Sequence, residues 1–262
     1  MSQSVKSLVN RKLPELTLIM PMAGRGSRFA QTGTKEPKPL IEIYGRPFFW
    51  WAVESIKRAA RLKEIIFVIL DEHCDQFGMH KRIAEYYPEA KIIQIPDVTS
   101  GAAETAQIGL TVCTGEGPVA INDCDHVFIC PDLTDSLQAL SRASAGVLIC
   151  FHSNSPAYSY VKVGEHGEIL GTVEKEVVSP FAIAGCYLFA SAATYRSIYS
   201  EYQNTCKYKE LYISGLFDML IAKGKSVLKI DAECHCAFGT PVELEKINDA
   251  IFQRYRHWTD PI

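Results

Sequence analysis

The chain of 262 residues is 47% hydrophobic and 22% charged, with a formal net charge of -3. That length can bury a substantial core, and the near-balanced charge excludes a nucleic-acid binder, which needs clustered positive charge. The longest aliphatic and aromatic run, "IIFVIL" at 65–70, is far too short to span a bilayer, so no membrane partner is expected.

The first fourteen residues, "MSQSVKSLVNRKLP", contain no continuous apolar stretch followed by a small-residue cleavage site. A cytoplasmic protein with reduced thiols is expected, and the nine cysteines are scattered and odd in number, unlike a disulfide framework. In chain order, "LTLIM" reads as a strand meeting a glycine turn, and "RPFFWWAVESIKRAARL" as a helix with Phe49, Val53, Ile56 and Ala60 on one face. A second strand "EIIFVIL", a short helix "HKRIAEYYP" ended by Pro88, and a third strand "AKIIQIP" follow. Next come a helix "GAAETAQIGL", a fourth strand "GPVAIND" and, after another helical stretch, "AGVLICFH". Strands alternating with helices predict an α/β fold with a doubly wound, mostly parallel sheet, whose ligands sit beyond the carboxyl ends of the strands.

The second half has a different pattern. "SYVKVGEHGEILGTVEKE" alternates about a glycine-containing turn, as a hairpin does, and "AIAGCYLFA" is a further strand, which together predict an antiparallel extension of the sheet. Cys234 and Cys236 flank His235 in "ECHCAF" without a second half-site of zinc-like spacing, so small buried residues are expected there. "GTPVELEKINDAIFQRYR" predicts one helix, with Thr240 as cap, Pro241 in the first turn, Glu243 completing a capping box, and Leu244, Ile247 and Ile251 along one face.

The turn in "LIMPMAGRGSRF" holds Gly24, Arg25, Gly26 and Arg28 directly after a buried strand. Glycines there let successive N–H groups converge on a phosphate, and the two arginines add mobile positive charge. A Walker A loop is excluded, because no Gly-Lys-Ser/Thr follows. A dinucleotide fingerprint lacks its third glycine, since Phe29 stands in that place, and "AQTGTKEPKPL" reads as a polar loop where a helix should open. Downstream, "PKPL" fixes Lys38 between two prolines.

Together these stretches compose G-x-G-S-R-F, then P-K-P-L-I, then G-R-P. In that order they resemble the sugar-phosphate nucleotidyltransferases, which join a nucleoside triphosphate to a phosphorylated small molecule and release pyrophosphate. The resemblance runs over roughly residues 16–245, leaving an N-terminal extension at 1–15 and a C-terminal helix and tail at 246–262, and it implies a Rossmann-like sheet with the antiparallel hairpin on the acceptor side of the cleft. It also implies nucleotide contacts from Met22, Ala23, Gly24, Gly26, Arg28 and Lys38, and from Thr99 and Gly101 in "TSGAAETA". "INDCDHVF" resembles a strand-end acidic motif that holds Mg²⁺; Asp125 matches best, with Asp123 beside it as its competitor and as an acceptor contact. "TVEKE" resembles the pair that meets the acceptor, here Glu174 and Lys175, and "AIAGCYLF" the strand beneath it, here Gly185 and Tyr187.

The resemblance thus assigns catalysis to Arg28, Lys38, Asp125 and Lys175. One departure stands out: the commoner pattern has a second metal-binding aspartate two residues before the glycine of "FGTP", where this chain has Ala237. A sugar 1-phosphate is the first choice of acceptor, in nucleotide-sugar synthesis for surface polysaccharides. A cytidylyltransferase for a non-sugar phosphorylated acceptor and a non-catalytic nucleotide-sugar sensor are the alternatives, with a nicotinamide-dependent oxidoreductase behind them. Tyr160, Phe181 and Tyr212 could stack on many small molecules, and a homo-oligomer is compatible with the sequence.

Overall fold

The computed structural model describes residues 13–140 and 143–259. The expected extension at 1–15 lies outside the described residues except for 13–15, as do residues 260–262 of the expected tail.

β1 (Glu15–Met22) is buried without alternation from Leu16 to Met20, as suits a central strand covered on both faces. α1 (Ser27–Gln31), a 3-10 turn at Lys38–Leu40 and the short strands β2 (Glu42–Ile43) and β3 (Arg46–Pro47) lead to α2 (Phe48–Lys57). β4 (Arg61–Leu70), α3 (Asp71–Phe77), α4 (Met79–Tyr86), β5 (Lys91–Ile95), α5 (Ala102–Leu110) and β6 (Val119–Asn122) continue the alternation. The four long strands of this half pair in parallel in the order β6-β1-β4-β5. Leu18 and Met20 join the core that contains α2, whereas Ile19 joins the core that contains α5, so helices cover both faces of the sheet.

After β7 (His126–Ile129) and α6 (Leu133–Leu140), the chain adds β8 (Gly146–His152), the antiparallel hairpin β9 (Ser159–Val163) and β10 (Ile169–Glu174), and β11 (Phe181–Phe189). β11 runs antiparallel to β8 with a register shift between Ile183 and Tyr187, and on its other edge it changes partner from β9 at Ala182 to β6 at Cys186–Phe189. Gly185 sits at this change with φ +68, a conformation in which a side chain would be strained. α7 (Ala192–Thr205) and α8 (Ile213–Ala222) then cover one face. β12 (Val227–Asp231) pairs in parallel with β8, and β13 (Cys234–Ala237) makes a separate antiparallel ribbon with β7.

Four local expectations are corrected. A helix does open directly after the glycine turn, since α1 follows Gly26, whose left-handed φ of +60 starts it. The single C-terminal helix is two, α9 (Pro241–Glu245) and α10 (Asp249–Arg256), because the Asn248 side chain accepts from the Ile251 N–H and caps a new start. Leu244 and Ile247 pack on the core as expected, but Ile251 is 43% exposed, and α10 turns Phe252 and Tyr255 inward instead. The Thr240 side chain does accept from the Glu243 N–H, yet the Glu243 carboxylate takes the Tyr158 hydroxyl and not the other half of the box. Among the described residues, no helix is long and apolar enough to cross a membrane.

Candidate active site

The loops after β1, β5 and β6 leave the carboxyl ends of parallel strands and bound a cleft of about 570 Å³, which the β9–β10 hairpin and the segment before α8 close from the other side. Ala23, Gly24, Gly26, Arg28, Lys38, Thr99, Gly101, Asp123, Asp125, Glu174, Lys175, Gly185 and Tyr187 all line it. Met22 does not, for its side chain is buried in the core.

Within the glycine loop, each position has its own constraint. A Cβ at Gly26 would stand 3.0 Å from the Cβ of Lys38, so this glycine lets the two loops touch, whereas a Cβ at Gly24 would meet nothing within 4 Å. Arg28 is exposed and has no hydrogen bond or ion pair among the described residues. Arg25, in contrast, is not a mobile charge: its guanidinium donates to Glu72 at 3.0 Å and to Asp97 at 3.1 Å, tying the loop to α3 and to the turn after β5.

Lys38 opens the 3-10 turn, which Pro37 precedes with a preset φ of -56, and its ammonium donates to Asp125 Oδ2 at 2.9 Å. Burial disfavours that ammonium, but the Asp125 carboxylate outweighs burial and holds its pKa above the ordinary lysine value. For Asp125, burial likewise opposes the charge, and Lys38 prevails and lowers the pKa. Asp123 is pushed upward, first by burial and then by the neighbouring Asp125 carboxylate. One cation therefore does not balance this cluster.

Two glycines hold the acidic loop in place. The Gly185 carbonyl accepts from the Asp123 N–H at 2.8 Å, and a Cβ there would stand 2.8 Å from the His126 ring. Gly239 packs so closely that its Cβ would overlap Asp125 Oδ2. His126 adds a ring nitrogen to the cluster, and ligand atoms of Asp123, Asp125 and His126 all lie within 4.8 Å of one another. Burial lowers the pKa of His126 and, strongly, of its neighbour His235.

On the hairpin side of the cleft, Glu174 accepts hydrogen bonds from Ser214 Oγ at 2.8 Å and from Ser159 Oγ, and so keeps a fixed orientation. Lys175 holds a left-handed φ of 57, unusual for a side-chain-bearing residue, and its ammonium donates to the Tyr212 hydroxyl at 2.6 Å. Of the expected stacking residues only Tyr212 lines the cleft. Tyr160 is fully buried with its hydroxyl on the Ser155 carbonyl, and Phe181 packs against His152 and Lys229. The loop after β5 is coupled to this wall by backbone: the Leu211 N–H donates to Ser100 O at 2.8 Å, and Leu211 O accepts from the Ala103 N–H at 2.9 Å. Gly101, at φ +150, passes so close to Leu211 that a Cβ would stand 2.5 Å from its nitrogen.

Sequence reasoning missed Tyr158, Ser159, His126, Glu210 and Glu243, all of which line the cleft. Glu243 carried a usable signal, being an acid in the first turn of a capped helix, but its partner Tyr158 lies 85 residues away.

A doubly wound sheet with a glycine loop, a strand-end acidic pair and an antiparallel wall facing them defines a Rossmann-like α/β fold with its cleft at the carboxyl ends of the strands. Residues 17–260 match the family model described as nucleotidyl transferase, and the chain belongs to that family of enzymes. The nucleoside-diphosphate-sugar pyrophosphorylase from Vibrio cholerae RC9 is 25% identical and superposes with a TM-score of 0.73 over 87% of this chain and 98% of its own. The inositol-1-phosphate CTP transferase from T. maritima shares the fold at 14% identity, with a TM-score of 0.70 over 92% of this chain and 94% of its own. No curated protein matches the chain by sequence.

Proposed function

We propose that the protein transfers a nucleoside monophosphate from a nucleoside triphosphate to a sugar 1-phosphate and releases pyrophosphate. The observation that carries this reading is the Lys38–Asp125 pair, which joins residues 87 apart in one cleft between Arg28, without a partner among the described residues, at one end and Glu174 with Lys175 at the other. An acceptor phosphate is already anionic and needs little general base, so the barrier lies in bringing two anions together in line. Arg28 and Lys38 would neutralise the triphosphate and the departing pyrophosphate. Lys175 would steer the acceptor phosphate, while Glu174, fixed by two serines, would accept from the acceptor's hydroxyls.

A divalent cation fits the acidic cluster, because burial and the Asp125 carboxylate disfavour ionised Asp123 more than Lys38 favours it, so a further cation would stabilise that charge, and two carboxylates are hard oxygen donors. Asp125, with Asp123, would hold Mg²⁺, which when bound supplies charge neutralisation to phosphoryl oxygens. The free cysteines, most of them buried, support a reducing cytoplasmic setting, in keeping with a role in making precursors of surface polysaccharide. A second reading, cytidylyl transfer to a non-sugar phosphorylated acceptor, is favoured by the fold shared with the inositol-1-phosphate CTP transferase.

Each of the four nucleoside triphosphates is to be incubated with a panel of sugar 1-phosphates and phosphorylated alcohols, with pyrophosphate release as the readout. Turnover with one triphosphate and a sugar 1-phosphate is expected. Turnover confined to a non-sugar acceptor selects the second reading, and no pyrophosphate from any pair rejects both.

A further inference from the structure

The acidic end of the cleft holds a histidine pair that nucleotidyl transfer, as described so far, leaves unused. His126 begins β7, and its Nδ1 lies 2.7 Å from Nε2 of His235 in β13, 109 residues away. The ribbon sets His126 directly opposite Ala237, so the small alanine leaves the imidazole unobstructed by its cross-strand partner. His235 is fixed in turn by Phe151, whose ring stacks on it at 3.6 Å between centroids and 21° between planes.

The His126 side chain is only 9% exposed, and its Nε2 faces Asp125 Oδ1 at 3.7 Å, too far for a hydrogen bond. Among the described residues no hydrogen bond reaches that nitrogen or the Asp123 carboxylate. The imidazole nitrogen and a carboxylate therefore open onto the same part of the cleft, beside a second carboxylate. The shared N···N contact admits one hydrogen. If His126 Nδ1 carries it, Nε2 turns a lone pair into the cluster; if His235 carries it, Nε2–H is left without an acceptor in range. The first arrangement gives both nitrogens of the His126 ring a partner once a cation is present. Donors on adjacent corners of an octahedral hard-ion site stand about 3 Å apart and opposite ones about 4 Å, so the observed spread closes with small side-chain rotations.

We propose that His126 Nε2 is a ligand of the divalent cation held by Asp125 and Asp123, that His235 is the positioning residue which keeps it in the ligating tautomer, and that the imidazole makes the site prefer Mn²⁺-type ions to Mg²⁺. Oxygen-only sites suit Mg²⁺, whereas an imidazole shifts preference along the first-row series. A second-sphere hydrogen bond to a ligating histidine is the usual means of setting its tautomer and orientation. The inference rests on the functional reading only in assuming that a cation accompanies the phosphates.

The test uses the full chain labelled with ¹⁵N-histidine, Mn²⁺ as the probe, and inorganic pyrophosphate as a nitrogen-free stand-in for the leaving group. Bound Mn²⁺ is counted by electron paramagnetic resonance, and electron spin echo modulation reports any nitrogen bonded to it. We expect a histidine nitrogen coupling that changes with the isotope and disappears in His126→Ala, together with Mn²⁺ binding at least tenfold tighter than Mg²⁺ in competition. His235→Phe, which keeps the aromatic packing but removes the acceptor, is expected to weaken Mn²⁺ binding by about tenfold to a hundredfold, while His235→Gln recovers part of it. Bound Mn²⁺ without nitrogen coupling in the unmutated protein, or coupling that survives His126→Ala, overturns the proposal and leaves nucleotidyl transfer standing. No Mn²⁺ binding with or without pyrophosphate overturns the proposal and the cation's part in the reaction. Nitrogen coupling in a protein that releases no pyrophosphate sinks the functional reading alone.

Discussion

Gly239→Ala offers a direct test of whether the Asp125 carboxylate must stand where it does. The Phe238 N–H donates to the Asp125 carbonyl at 2.9 Å, so the main chain at 238–239 is pinned over this residue. An added Cβ would overlap Oδ2 and stand 3.0 Å from Cγ, at the limit of real contacts, so rotating the carboxylate in place cannot relieve it. The carboxylate has to retreat by about 1 Å, a misplacement that costs on the order of a hundredfold in turnover when it affects a positioned catalytic group. The displaced oxygen is the one that accepts from Lys38 at 2.9 Å, and losing that charge-assisted bond costs roughly 1–3 kcal/mol of stability. At about 2–4 °C per kcal/mol, the melting temperature should fall by roughly 2–12 °C while the fold persists. The assay is pyrophosphate release with the triphosphate and acceptor that the unmutated protein turns over, run beside a thermal melt by circular dichroism. Turnover within about threefold of normal would refute the reasoning, since it would mean that the carboxylate's position is irrelevant to the chemistry.

Lys38→Ala should lower turnover by roughly a hundredfold with the fold intact, as for a lost donor in an electrostatic site; normal turnover removes Lys38 from the chemistry. Gly24→Ala meets no protein atom within 4 Å and its φ is not in the strained left-handed range, so the melting temperature should not move, while KM for the triphosphate should rise if phosphate packs on that backbone. Unchanged kinetics would place the ligand elsewhere. Glu64 clasps β4 to the end of α5, accepting from Lys91 at 2.6 Å and from Thr114 Oγ1 at 2.6 Å; burial opposes its charge, but these bonds bring its pKa from 4.5 down to about 2. Because the folded pKa is the lower one, its contribution is complete above 4.5 and drains away as pH falls toward about 2, amounting to about 3 kcal/mol at most. Urea unfolding should therefore find Glu64→Gln less stable than the parent at pH 7, with the gap roughly halved at pH 3; an equal gap at both would contradict the linkage.

The parallel half was legible because its physics is local. Unbroken apolar runs such as Ile65–Leu70 read as strands covered on both faces, and the glycine turn at the end of the first is one of the carboxyl-end loops that line the cleft. The hairpin at 159–174 was equally plain from its period of two. Residues 190–232 offered no motif, so α7, α8 and β12 went unread, and with them Ser214 and the hydrogen bond that orients Glu174. Arg25 looked like a free cation, because Glu72 and Asp97 reach it only once the sheet is assembled. The His126–His235 contact was hidden for the same reason, and the two flanking cysteines drew attention away from the histidine between them. At Asn248 the cue was present in the sequence, since a capping residue inside a helical pattern marks a restart, but the apolar spacing of Leu244, Ile247 and Ile251 concealed it.

The clasp of Leu211 between Ser100 and Ala103 means that the two halves of the cleft are not separate modules. Exchanging the stretch around Glu210 and Tyr212 would pull on the start of α5, and so on the wall of the cleft that Gly101, Ala102 and Thr105 form. Engineers would do better to alter side chains on this stretch and leave its peptide groups, and the glycine beneath them, as they are.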